Sequence, residues 1–132
     1  MKYLLDTNIC IYLLNGNKSL KKKVKETGVL SLAISNATLA ELYFGAYYSK
    51  RVEENLKRIT VFKKHLTICS DSEKSAEVFG RFKSILKSKG NIIEDFDILI
   101  ASIAFTNNYI LVTNNPKHFQ RIKELQIENW IP

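Results

Sequence analysis

Five short apolar runs, each parted from the next by helix-like sequence, constrain this chain more than any other feature. They cover residues 2–5, 30–34, 65–69, 109–112 and 127–130. The stretches between them carry apolar side chains at helical spacing: Leu20 and Val24 in 18–26, Leu56, Ile59 and Phe62 in 52–64, and Val78, Phe79, Phe82, Ile85 and Leu86 in 72–89. Strands that alternate with helices predict an α/β fold with a parallel, doubly wound sheet. A chain of 132 residues, 45% of them apolar, holds one domain, 1–132, with a substantial core. No run is long enough to span a bilayer, and residues 1–14, broken by Asp6 and Asn8, lack the pattern of a signal peptide. A cytoplasmic protein without a membrane partner is expected. Cys10 and Cys69 form no C-x-x-C pair and read as two reduced, buried thiols.

Three acids stand in places where a carboxylate is awkward. Asp6 directly follows the first apolar run and precedes a helix. In an open parallel sheet chemistry collects outside the carboxyl ends of the strands, yet aspartate is also a preferred helix N-cap. Residue 6 alone leaves both readings open. Glu41 lies in the middle of a helix predicted over 36–48, among Ala37, Leu39, Ala40, Leu42, Tyr43, Phe44, Gly45 and Ala46. A helix apolar on every side is expected to be buried on every side, and a carboxylate there needs a partner or a cation. Asp97 begins the apolar stripe Ile100, Ala101, Ala104 and Phe105 of a helix ending near Thr106, while Asp95 is the expected N-cap of that helix.

Acids that converge repel one another unless a cation joins them. An all-oxygen set selects a hard ion, Mg²⁺ or Mn²⁺. His65 and His118 are isolated and read as surface or strand-end residues. The rest of the chain is basic: 20 Lys and Arg face 13 Asp and Glu, for a net charge of +7. Such a balance favours a polyanionic partner. An acidic metal site inside a basic protein has the make-up of a phosphodiesterase, in which lysines draw in nucleic acid and the metal activates water.

The residues resemble the PIN-domain ribonucleases and, among these, the VapC-type toxins of bacterial toxin–antitoxin pairs. The resemblance rests on Leu4-Leu5-Asp6-Thr7-Asn8, on Ala40-Glu41-Leu42 with Gly45, on Gly90, Ile93, Phe96-Asp97 and Ile100-Ala101, on Leu111-Val112-Thr113-Asn114-Asn115, and on the ending Glu128-Asn129-Trp130. It spans essentially the whole chain and implies a three-layer α/β/α sandwich around a central parallel sheet. It further implies a Mg²⁺- or Mn²⁺-dependent endoribonuclease cutting transfer or ribosomal RNA at a defined site, a VapB-type antitoxin partner, and a homodimer. Asp6, Glu41 and Asp97 match the family's metal-holding acids, and Thr7 and Asn8 match positions that support the metal and its water. Asn115 stands where many members carry a fourth acid, and Lys83, a candidate phosphate contact, where relatives often have arginine.

Two other classes compete. Phosphatases and phospho-receivers also place Asp after a first strand, but the phosphatase pattern wants a second Asp at the position of Asn8, and a receiver wants paired acids ahead of its first strand's Asp. A non-catalytic RNA-binding PIN-like domain, with Asn115 marking a decayed site, would bind RNA without metal-dependent cleavage.

Overall fold

A computed structural model describes residues 2–132. Five strands, β1 (Tyr3–Leu5), β2 (Leu32–Ser35), β3 (Thr67–Cys69), β4 (Ile110–Val112) and β5 (Ile127–Glu128), form one sheet in the order β3-β2-β1-β4-β5. Every pairing is parallel. Seven helices connect and cover the strands: α1 (Thr7–Leu14), α2 (Lys18–Thr27), α3 (Asn36–Tyr47), α4 (Val52–Lys63), α5 (Glu73–Ser88), α6 (Asp95–Thr106) and α7 (Pro116–Phe119). The five expected strands all occur, each shorter than its apolar run. Residues Val29–Ser31, for example, wind into a 3-10 turn ahead of β2.

The strands are apolar throughout because both faces are covered. Successive side chains of a strand point to opposite faces, and they enter different cores here. Leu4, Ala33 and Leu111 pack with Val78, Phe82 and Leu86 of α5 and with Ile98, Ala101 and Ala104 of α6. Leu5, Ile34 and Val112 pack with Ile9 of α1, Leu20 of α2, Leu42 of α3 and Ile59 of α4. These two cores on either side of one sheet are the three layers of an α/β/α sandwich.

The strand order sets where a site can form. From the centre, β1 leads outward to β2 and β3, whereas β4 leads the other way to β5. The direction reverses between β1 and β4, and in open α/β sheets the crevice for ligands opens at that reversal, beyond the carboxyl ends of the strands.

Two expectations fail. Helix α3 is not buried all round. Ala37, Thr38, Leu42 and Ala46 face the interior, and the helix packs on α1, α4 and α6, but Phe44, Tyr47 and Tyr48 are 69%, 65% and 83% exposed. An apolar sequence shows only that most of a helix avoids charge; here one face finds no cover among the described residues. Nor is Asp95 the cap of α6. Glu94 is, with extended φ and ψ of −62° and 147° and no side-chain cap bond. Its carbonyl accepts from Asp97 N and Ile98 N at 3.0 and 3.1 Å, so Asp95 becomes the first helical residue, where a carboxylate still suits the helix dipole.

Candidate metal centre

Asp6 sits at the point of reversal. Its backbone N–H donates to the Val112 carbonyl at 2.9 Å, which extends the β1–β4 ladder by one residue past β1. It is also the N-cap of α1, with φ −65° and ψ 158°. Both roles considered from the sequence therefore fall on one side chain. Its Oδ1 accepts from the Thr7 backbone N–H at 2.7 Å, and its Oδ2 from the Thr113 hydroxyl at 2.8 Å. Thr113 is the residue after β4, fully buried, with its own N–H on the Glu128 carbonyl at 3.0 Å. Its Oγ1 also accepts from Asn115 N at 3.0 Å. The two residues that leave β1 and β4 are thus bonded to each other across the crevice.

Glu41 reaches the same rim from α3 and is half-buried. Its Oε1 accepts from the Thr7 hydroxyl at 2.6 Å, and the Thr7 and Thr38 hydroxyl oxygens lie 3.1 Å apart. A threonine has one hydroxyl hydrogen. Thr7 spends its own on the carboxylate, so Thr38 donates to Thr7. Thr38 is buried and anchored by its N–H on the Ser35 hydroxyl, 3.0 Å away, in the cap of α3. Asp97 arrives from the first turn of α6, also half-buried, and its Oδ2 lies 3.0 Å from His118 Nε2.

Burial pushes the Asp6 carboxyl above the usual carboxylate range. The Thr113 hydroxyl and the Thr7 N–H pull against that shift, and the charges of Asp97 and Glu41 add to it. Asp6 thus feels the charges of both other acids. Among the described residues no lysine or arginine lies within 4.0 Å of any of them. Behind Asp6, burial and then the Asp6 charge push the Cys10 thiol up, so this cysteine is an inert part of the core. Cys69 is likewise a buried free thiol.

The described residues hold no group of three His, Cys, Asp or Glu side chains set closely enough to grip an ion as they stand. Glu41 is bonded to Thr7 and Asp97 to His118, each through one carboxylate oxygen. The donor set nevertheless fits a hard cation. It is all carboxylate, no lysine or arginine pairs with it among the described residues, and Glu41 Oε2 and Asp97 Oδ1 have no hydrogen-bond partner there.

The other expected residues lie around this core. Asn8 is exposed on the first turn of α1. Asn115 is exposed and caps α7 without a side-chain bond, so it contributes through its backbone N–H to Thr113. Lys83, on α5, pairs with Asp95 at 3.0 Å, two residues before Asp97. Sequence reasoning missed three members. Thr113 was findable as the first residue beyond the strand next to β1. Thr38 lies one turn before Glu41 on α3. His118 reads as isolated in the sequence, because nothing there ties it to an acid 21 residues earlier.

The PIN domain family matches residues 3–125. The chain belongs to the PIN-domain family. Its PIN-domain relatives include the ribonuclease VapC2 of Rickettsia felis, 41% identical over 98% of both chains, and the tRNA(fMet)-specific endonuclease VapC of Shigella flexneri, 32% identical over 98% of both. Among solved PIN-domain structures, that of VapBC2 from Rickettsia felis bound to a DNA fragment from its promoter superposes with a TM-score of 0.93. It is 39% identical and the match covers 99% of this chain and 100% of that one. Membership in this family removes the phosphatase and phospho-receiver readings.

Proposed function

We propose that this PIN-domain chain is an endoribonuclease toxin, dependent on Mg²⁺ or Mn²⁺ and neutralised by a VapB-type antitoxin. One observation carries the reading: at the reversal of strand order the Asp6 carboxyl is raised by burial and further by the charges of Asp97 and Glu41. With no lysine or arginine paired to these acids among the described residues, a divalent cation suits the site. The names of the relatives, a ribonuclease and a transfer-RNA endonuclease, support RNA as substrate, with transfer RNA ahead of ribosomal RNA. Solved toxin–antitoxin complexes of this fold support the antitoxin. The exposed Phe44, Tyr47 and Tyr48 suit a protein partner, since contiguous exposed apolar side chains mark interaction sites, and a homodimer is part of the same proposal. Among the described residues no helix is long and apolar enough to cross a membrane; a cytoplasmic location is part of the same proposal.

Asp6, Glu41 and Asp97 would hold the ion. When bound, it lowers the pKa of a water for in-line attack and stabilises the leaving oxygen of the phosphodiester. The chain's own residues do the rest. Thr113 and the Thr7 N–H fix the Asp6 carboxylate, and the Thr38–Thr7 hydroxyl relay fixes Glu41. Asn8 and Asn115 offer neutral amides at the rim, able to bind water or ribose without adding charge. Lys83 contributes a point charge for a phosphate, without the two-pronged fork an arginine would bring. The test is cleavage of total transfer RNA by the purified full chain, in EDTA and with Mg²⁺ or Mn²⁺ restored. Cleavage by wild type only with metal, and none by Asp6→Asn, is expected. Full cleavage by Asp6→Asn would sink the reading.

A further inference from the structure

Among the three acids, Asp97 alone takes its hydrogen bond from an imidazole. His118 belongs to α7, the single helical turn that follows β4. Pro116 opens that turn, and its carbonyl accepts from Gln120 N at 2.8 Å, while the Asn115 carbonyl accepts from His118 N at 3.2 Å. The next residue, Phe119, is 1% exposed and anchors the turn in the core shared by α5 and α6. The imidazole stands edge-on to the Phe119 ring, with centroids 5.4 Å apart and planes at 87°. The backbone of α7 and this ring fix where the imidazole points. Its Nε2 lies 3.0 Å from Asp97 Oδ2, and the two side chains are 23% and 31% exposed. Nε2–H donates to a carboxylate whether the ring is neutral in that tautomer or protonated. A carboxylate held by one oxygen loses rotamer freedom and presents the other in a set direction, here Oδ1.

We propose that His118 is a positioning residue for Asp97: it donates to Oδ2 so that Oδ1 is already aimed at the cation when the ion arrives. The rim beyond β4 thereby contributes a hydrogen-bond donor to the acid of α6, where Asn115 contributes no carboxylate of its own. This rests on the proposed metal site. It assigns to His118 a task separate from tying α7 to α6, because a tie alone would stabilise the fold without altering ion affinity. Partners that orient a metal ligand are worth about 10–100-fold in metal affinity.

The experiment is titration of the metal-free, RNA-free full chain with Mn²⁺, followed by calorimetry and by the electron paramagnetic resonance of free Mn²⁺, for wild type, Asp97→Asn, His118→Phe and His118→Gln. His118→Phe keeps the ring and removes the donor, and its Mn²⁺ affinity is expected to fall about 10–100-fold. His118→Gln restores an N–H donor close to the place of Nε2, and is expected to recover most of the loss. In EDTA both variants are expected to melt within about 2 °C of wild type, as substitutions at a partly exposed position do. Wild-type affinity in His118→Phe, or equal loss in both variants, overturns the role of His118 alone. Mn²⁺ binding that Asp97→Asn leaves unchanged overturns the metal site itself and this role with it.

Discussion

Asp6→Asn separates what the carboxylate does for the fold from what it does for the site. The amide keeps the shape. Its oxygen still accepts from the Thr7 N–H, and its NH₂ meets the Thr113 hydroxyl, which has a second lone pair beside the one that takes Asn115 N–H. The substitution removes a negative charge that is 5% exposed and lies near two other acids. In metal-free protein it is therefore expected to stabilise, against the usual direction of point mutations. Relief of a strained functional site is worth about 1 kcal/mol, or about 4 °C for a domain of this size. A cation at about one hundred times its dissociation constant stabilises wild type by about 2.7 kcal/mol, or about 10 °C. The order should invert: Asp6→Asn melts higher in EDTA, and wild type melts higher in saturating Mn²⁺.

The pH dependence fixes the cause. The folded Asp6 carboxyl is raised above its ordinary value of 3.8, so the folded state holds the proton more tightly than the unfolded chain. Below 3.8 both states are protonated and the charge costs nothing. As pH rises from there through the raised folded value, folding takes up a proton and wild type loses stability; above that value the loss is constant. The metal-free gap between the proteins should be near zero at the acid end, open with rising pH, and then level off. Melts followed by circular dichroism across this range, with EDTA and with Mn²⁺, measure it, and cleavage should fall at least about 10²-fold in the same variant. A metal-free Asp6→Asn that melts below wild type at pH 7, or Mn²⁺ that raises both proteins equally, would refute the reasoning.

Thr113→Val keeps the volume but removes the donor to Asp6 and the acceptor of Asn115 N–H, and is expected to cost about 1.5–3 kcal/mol, measured as a fall in urea midpoint at pH 7. Thr7→Val leaves the backbone N–H on Asp6 but strips Glu41 of its 2.6 Å donor; metal affinity by Mn²⁺ titration should drop about 10–100-fold. Lys83→Ala should raise KM for RNA with kcat unchanged and flatten the logarithmic salt dependence of RNA binding by about 0.7, while stability stays within about 0.5 kcal/mol because its pairing with Asp95 is solvent-exposed.

What could be read from the sequence, and what could not, follows from the range of the interactions. Strands and helices announce themselves because β1, β2 and β4 are buried on both faces and each helix repeats its own apolar spacing; both signals are local. Glu41 and Asp97 are visible for a related reason, since each breaks the apolar pattern of its own helix, and Asp6 draws notice by directly following an apolar run. Side chains that obey theirs carry no such mark. Thr38 and Thr113 pass for ordinary residues at a helix start and a strand end, and His118 for a surface histidine. Only the strand order, with β4 beside β1, brings the loop carrying Thr113 and His118 against Asp6 and Asp97. The error at α3 has the same root. Apart from Glu41 its sequence excludes charge, but a partner's surface satisfies that condition as well as the chain's own core does. The acids of a site thus declare themselves by local misfit, while the groups that hold them in place are fixed by topology. Asp6 shows the difference within one side chain: as the cap of α1 it is predictable from its neighbours, and as the partner of Thr113 it depends on a strand more than a hundred residues away.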